Sequence, residues 1–93
     1  MIEVTRLSEH DPIAFDVLIG DAGTKTRYHV TLAAADLQRL SPGLPPERCI
    51  EAAFRFLLDR EPAQAILRRF DISAISRYFP EFERELPRYL AVR

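Results

Sequence analysis

Cysteine, glycine and lysine are scarce in this chain of 93 residues. It contains one cysteine, three glycines and one lysine, no tryptophan, and twelve arginines. A single cysteine cannot form an intramolecular disulfide, and with two histidines it gives no standard zinc-binding spacing. Cys49 stands among apolar neighbours, so we interpret it as a buried hydrophobic residue rather than a reactive thiol. Three glycines leave little material for a phosphate-binding loop. The sequence therefore predicts no disulfide framework, no metal and no cofactor.

Long hydrophobic runs are also absent. The longest, residues 52–54 and 56–58, are far too short to cross a bilayer, and the N-terminal residues lack the pattern of a signal peptide. We expect a soluble protein with no membrane partner, and the lone cysteine favours a reducing, cytoplasmic setting. The preference for arginine over lysine, with abundant alanine, leucine and proline, indicates a GC-rich bacterial genome.

Neither sign of charge is in excess. The chain has 13 basic and 14 acidic residues, and a formal net charge of −1. Residues 1–46 carry four bases and six acids, and residues 47–93 carry nine bases and eight acids. A nucleic-acid-binding protein usually shows a basic excess or a basic stripe. The charge distribution therefore does not favour nucleic acid as the partner.

The period of the hydrophobic pattern changes before the middle of the chain. From Ile13 to Leu32 the apolar residues come largely at every second position, which predicts strands. Two alternating runs flank the turn Asp21-Ala22-Gly23-Thr24, and a short run over residues 2–7 precedes them. The strands are therefore expected to form a two- or three-stranded antiparallel meander within about residues 2–32.

From Glu47 to Leu90 the apolar residues recur every third or fourth position, which predicts helices. The expected helices cover residues 33–40, 46–60, 63–70, 72–79 and a last one that starts after Pro80 and is limited by Pro87. The longest has only one thin polar line, so it should be the buried centre. The predicted fold is a single α+β domain over residues 1–93, in which the meander packs against four or five short helices around one central helix.

One candidate binding surface is the outer face of the predicted sheet. The alternation turns Asp16, Arg27 and His29 outward, away from the apolar face. A histidine, an arginine and an aspartate on adjacent strands can bind a small anion or act as acid and base. The same residues are typical of a solvated face whose opposite charges pair across strands. We favour the second interpretation.

A second candidate surface consists of arginines in the helical half. Arg68, Arg69 and Arg77, together with Arg84 and Arg88, fall on outward positions and would suit a phosphate or an acidic partner. Three glutamates between residues 81 and 85 stand nearby and are expected to pair with them. The segment 78–82 concentrates three aromatic residues around a proline. We interpret it as a structural corner in preference to an exposed recognition edge.

Motifs that carry catalytic chemistry are missing. The sequence has no nucleophile elbow, no phosphate loop and no paired carboxylates backed by a histidine. Leu18, Tyr89 and Leu90 add apolar surface beyond what one sheet face needs. We therefore predict a non-enzymatic protein-interaction or regulatory module that self-associates. One alternative is a nucleic-acid-binding regulator or antitoxin-like protein using the arginines of residues 68–88. Another is a small ligand binder or enzyme using the outer sheet face.

Overall fold

Three strands come first in the chain, and helices with one further short strand follow, in a computed structural model that describes residues 1–21 and 23–91. These residues confirm the predicted α+β class and form one four-stranded sheet in the spatial order β1-β2-β3-β4. The elements are β1 (Ile2–Arg6), β2 (Ile13–Asp21), β3 (Thr24–Leu32), α1 (Ala34–Leu40), α2 (Pro46–Leu58), β4 (Arg69–Asp71), α3 (Ile75–Tyr78) and α4 (Phe82–Ala91). Short 3-10 turns cover Ala63–Ala65 and Ile72–Ala74.

The predicted antiparallel meander is present in its three-stranded form. β1 pairs with β2 and β2 pairs with β3, both in antiparallel register. The β2–β3 connection includes Gly23, whose φ of +85° is readily adopted only by glycine; Ala22 of the predicted turn lies outside the described residues. The residues predicted to face inward are all buried. They are Phe15, Val17, Ile19, Tyr28, Val30 and Leu32.

Helix α2 is the centre of the core, as its single thin polar line predicts. It covers the inner face of the sheet, and the Tyr28 and Phe54 ring centroids are 5.2 Å apart. Seven of its thirteen residues are buried. They are Cys49, Ile50, Ala52, Ala53, Phe54, Phe56 and Leu57. We call the opposite side of the sheet, which faces away from α2, the outer face.

The predicted helix over residues 63–70 is wrong. Residues 63–65 form a single 3-10 turn, and β4 then adds a fourth strand to the sheet. β4 runs parallel to β3, so the sheet is mixed rather than a pure meander. A strand of three residues has too few positions to display a period of two, and its sequence therefore gives no strand signal.

Contacts with β3 and α2 hold β4 in place. The His29 backbone N–H donates a hydrogen bond to the Arg68 carbonyl at 2.8 Å, which starts the parallel pairing. The Phe70 side chain packs against the core, with its ring centroid 5.9 Å from that of Phe54. These partners are distant in sequence, so the local hydrophobic pattern does not report them.

The C-terminal helices follow the prediction only in part. The helix expected over residues 72–79 is a 3-10 turn that leads into α3. The expectation that Pro87 limits the last helix is wrong, because α4 continues through it to Ala91. Residues 92–93 of the predicted tail lie outside the described residues. Tyr89 and Leu90 are half-buried on α4 and pack against the core, so they are not surplus apolar surface.

Ser41, in the turn after α1, is buried, and its hydroxyl has no nitrogen or oxygen hydrogen-bond partner among the described residues; its polar neighbour is the thiol of Cys49, which is a weak partner. A buried hydroxyl without a partner carries a desolvation cost that alanine does not have. We therefore expect Ser41→Ala to leave the free energy of unfolding unchanged or to raise it by up to about 1 kcal/mol. Urea unfolding followed by circular dichroism measures this, with the exposed Gln38→Ala as the surface control. A clear loss of stability would show that the hydroxyl is bonded.

Candidate functional site

The outer face brings together three of the predicted candidate residues. Asp16 on β2 lies opposite His29 on β3, and Arg27 occupies the next outward position of β3. The Asp16 carboxylate is 3.6 Å from Nδ1 of His29 and 3.9 Å from Nη1 of Arg27. Asp16 and His29 are half-buried, whereas Arg27 is exposed. Loose ion pairs of this kind contribute little to stability or binding.

β4 adds Arg69 to the same surface. In the parallel pairing Arg69 lies opposite His29, so it belongs to the outer face and not to a helix. The polar row Thr5, Asp16, His29 and Arg69 therefore crosses all four described strands. The small-ligand hypothesis needs a concave surface at these residues, because ligand sites bury most of their ligand. The two clefts of the described structure are lined by other side chains, so neither provides the concave surface that the small-ligand hypothesis needs at these residues.

A polar contact that the sequence does not indicate joins β3 to the start of the 3-10 turn at residue 72. The Thr31 hydroxyl donates a hydrogen bond to Oδ1 of Asp71, and the Ser73 backbone N–H donates to Oδ2 at 3.0 Å. Burial would raise the pKa of Asp71, but the hydrogen bonds from Ser73 and Thr31 outweigh it and hold that pKa below its ordinary value. Asp71 thus caps the 3-10 turn Ile72–Ala74 and also ties β3 to the segment after β4.

The arginines of the second candidate surface do not form one stripe. The Arg68 guanidinium lies 5.9 Å from the centre of the Tyr28 ring, Arg69 is on the outer face, and Arg77 is on α3. None of the three forms an ion pair within residues 1–21 and 23–91. The predicted pairing holds only in part: Glu85 pairs with Arg84 and Arg88, whereas Glu81 and Glu83 pair with Arg60 and Arg39. These three guanidinium groups are therefore free to meet an acidic partner.

An apolar groove opens between the end of α2, the segment before β4, and α3. Its volume is about 240 Å³. Two of its residues are strongly exposed for large apolar side chains, Leu67 at 53% and Tyr78 at 67%. We call it the apolar groove; the residues that mainly line it are Leu57, Ile66, Leu67, Phe70, Ala74 and Tyr78.

The sequence located the apolar groove only in part. The helical spacing predicts Leu67 on an inward face, but the irregular chain before β4 turns it outward. The aromatic segment 78–82 is in part a structural corner and in part an exposed edge. Phe79 and Phe82 form the structural corner, with ring centroids 5.8 Å and 5.0 Å from that of Phe56. Tyr78 points to solvent, as the interpretation as an exposed edge requires.

A larger and more polar cleft of about 810 Å³ lies between the sheet and the C-terminal half of α2. Two of its three charged side chains, Arg55 and Asp59, are already engaged, and Glu61 is the third. Arg55 bonds to Glu51 at 2.8 Å, and Asp59 accepts a hydrogen bond from the Tyr89 hydroxyl at 2.6 Å. Because Arg55 and Asp59 each already have a partner, they do not converge on a point where a ligand would sit.

Cys49 is fully buried in α2, as predicted. Burial raises the pKa of its thiol, which disfavours the thiolate that nucleophilic chemistry requires. Within the described part of the chain, no group of three His, Cys, Asp or Glu side chains is placed to hold a metal ion. No helix in that same part has the length and apolar character needed to span a bilayer.

Comparison of this chain with protein-family models, with curated proteins and with solved structures finds no match.

Proposed function

We propose that this protein is a non-catalytic protein-interaction module whose apolar groove binds an amphipathic, acidic segment of a partner protein. The observation that carries the proposal is the meeting of Leu67 and Tyr78 at one apolar depression. Large apolar side chains that are exposed together mark protein interaction sites more often than isolated ones do. A partner that covers them gains the free energy of removing apolar surface from water.

The size of the apolar groove favours side chains over a whole small molecule. Small-molecule sites have volumes of about 300–1,000 Å³, whereas the apolar groove measures about 240 Å³. One or two apolar side chains of a partner segment fit such a volume, with the rest of the segment lying over the rim. Anchoring by a few residues in a small pocket is the usual arrangement at protein interfaces.

Two arginines that are next in sequence to the exposed apolar residues are the basis for the acidic chemistry proposed for the partner. Arg68 follows the exposed Leu67, and Arg77 precedes the exposed Tyr78. Both arginines are exposed and take part in no ion pair with the described residues. A carboxylate on the partner segment would therefore find a charge-assisted hydrogen bond at either guanidinium. Glu61, which also lines the apolar groove, would disfavour a partner that carries a carboxylate at that point.

The proposal includes a cytoplasmic location, a bacterial origin and a regulatory role. The single buried cysteine supports a cytoplasmic location, and the arginine-rich usage supports a bacterial origin. A regulatory role fits a small module that holds a partner without altering it. Nucleic acid remains the alternative partner, but Arg68, Arg69 and Arg77 lie on different parts of the surface and give it no continuous basic stripe.

Peptide selection tests the proposal without knowledge of the partner. A display library of random twelve-residue peptides is selected on the immobilised protein, and enriched peptides are measured singly by fluorescence anisotropy. We expect a consensus with two or more large apolar residues flanked by Asp or Glu. Leu67→Ser/Tyr78→Ser should weaken binding at least about tenfold, equal to about 1.4 kcal/mol, because both anchors of the apolar groove are lost.

Gln38→Ser is the control, since Gln38 is exposed and lies outside both the apolar groove and β1, and it should not affect peptide affinity. Arg77→Glu should weaken an acidic peptide and reduce the salt dependence of its binding. Circular dichroism checks that each variant is folded. A basic consensus, no consensus, or equal affinity for the wild type and the double variant would contradict the proposal.

A further inference from the structure

The free edge of β1 carries unpaired backbone groups. The Gly20 N–H donates to the Met1 carbonyl at 3.0 Å, and the Leu7 N–H donates to the Ala14 carbonyl at 2.7 Å. Backbone groups alternate in direction along a strand, so the odd-numbered residues 1–7 direct theirs toward β2. The N–H and C=O groups of Ile2, Val4 and Arg6 consequently point away from the sheet.

Nothing in the described residues blocks this edge by hydrogen bonding. No backbone hydrogen bond is made there by Ile2, Val4 or Arg6 outside the sheet ladder. The opposite edge is protected in a way that β1 is not. β4 is only three residues long and leads directly into a 3-10 turn, whereas β1 is five residues long and has no proline or bulge; of its two charged residues, Glu3 and Arg6, the latter is paired with Glu9 and Glu47. Such an edge is a template for pairing with another strand.

Two exposed apolar side chains stand at the ends of β1. Met1 is 59% exposed and Leu7 is 48% exposed. Both extend the β1–β2 ladder by one residue, and both fall on the outer face because their positions are odd. On the inner face, Ile2 and Val4 are only half-buried, although the residues beside them on β2 are buried. The edge therefore has apolar surface to cover on both faces.

We propose that this protein forms a two-fold symmetric dimer in which β1 pairs antiparallel with β1 of a second copy, with Val4 at the two-fold axis. In this register Val4 faces Val4, and Ile2 faces Arg6 of the second copy. Every outward N–H and C=O group of these three residues then has a partner. The two sheets join into one continuous sheet, and neither copy retains an open β1 edge.

Side chains select this register over its neighbours. It places Met1 opposite Leu7 of the second copy at both ends of the pairing, which covers the exposed side chains of both residues. A shift of two residues toward the N-terminus places Glu3 opposite Glu3, and like charges directly opposite one another are destabilising. A shift of two residues the other way places Leu7 opposite Glu3 and takes Ile2 beyond the strand. The proposed register alone avoids both conflicts.

Light scattering and sedimentation equilibrium test the dimer directly. We expect twice the chain mass of 10.7 kDa for the wild type. Val4→Pro should raise the dimer Kd at least about tenfold, because it removes the outward N–H at the axis, a group that the β1–β2 ladder does not use. Leu7→Lys should weaken the dimer by a comparable factor and keeps the test valid if Val4→Pro unfolds. Leu67→Ser/Tyr78→Ser should leave the dimer unchanged, so this proposal and the one for the apolar groove can fail separately.

Disulfide trapping tests the register. Glu3 faces Thr5 of the second copy at a non-hydrogen-bonded pair, where Cα atoms are about 4.5 Å apart, within disulfide range. Isotope-labelled Glu3→Cys protein is mixed with unlabelled Thr5→Cys protein under mild oxidation. We expect the mixed disulfide to exceed both homodimeric ones, while the buried Cys49 stays unreactive. A monomer at about 1 mM protein, a dimer indifferent to Val4→Pro and Leu7→Lys, or a predominance of homodimeric disulfides would overturn the proposal.

Discussion

Phe56→Ala is expected to lower the free energy of unfolding by about 3–5 kcal/mol. The Phe56 side chain is fully buried on α2, and three aromatic rings pack around it with their planes near perpendicular. The Arg60 guanidinium lies 3.7 Å from its ring centroid. Alanine would leave a cavity between α2, α3 and α4, and would remove the contacts that hold α4 to the core.

This loss is large compared with the stability of a domain of this size. At about 0.05–0.15 kcal/mol per residue, the chain has little reserve, and we expect partial unfolding of Phe56→Ala at physiological temperature. Urea unfolding followed by circular dichroism measures the change. Tyr78→Ala is the matched control, because it also removes an aromatic ring but from an exposed site. If both variants lost the same amount of stability, the aromatic cluster would not be packed as described.

Asp71→Ala is expected to cost about 2 kcal/mol at neutral pH, from the lost N-cap and the lost partner of the Thr31 hydroxyl. The pKa of Asp71 is lower in the folded chain than its ordinary value of 3.8. The folded state therefore favours the carboxylate, and the stabilisation is fully present above the ordinary pKa. It is lost as the pH falls through the lowered pKa of the folded state.

The pH dependence separates this effect from a general loss of packing. The difference in stability between the wild type and Asp71→Ala should shrink as the pH falls below about 4, and reach a constant smaller value once Asp71 is protonated in both states. Thr31→Val is the complementary variant and should lose part of the same stabilisation. Unfolding free energies measured from pH 7 down to the acid limit provide the test. A difference that is independent of pH would mean that the charge of Asp71 has no role.

Local sequence patterns placed some residues of the candidate sites correctly and missed others. Alternation along β2 and β3 correctly placed Asp16, Arg27 and His29 on one face, because side-chain direction in a strand depends only on position. Arg69 joined them through pairing with a strand forty residues earlier, and no local pattern reports such pairing. Leu67 was expected inside and lies outside, because the helix that would have turned it inward does not form.

Pro87 shows the limit of local rules in the helical half. Proline in a helix interior removes a backbone hydrogen bond and disfavours the preceding turn, so the sequence predicts a stop. α4 nevertheless continues, since Leu86, Tyr89 and Leu90 pack against the core and offset the lost bond. This packing depends on the side chains of α2 that contact α4, such as Phe56, so the end of α4 is determined only when the core assembles.

The change of hydrophobic period determined the α+β class, the inward faces of β2 and β3, and the central place of α2. Each of these depends on the direction of neighbouring side chains along one element, which a sequence specifies directly. Tertiary structure alone decided the parallel strand β4, the tie from Asp71 to Thr31, the exposure of Leu67 and Tyr78, and the open edge of β1. These depend on contacts between distant segments, whose free energy exists only once the elements are packed together.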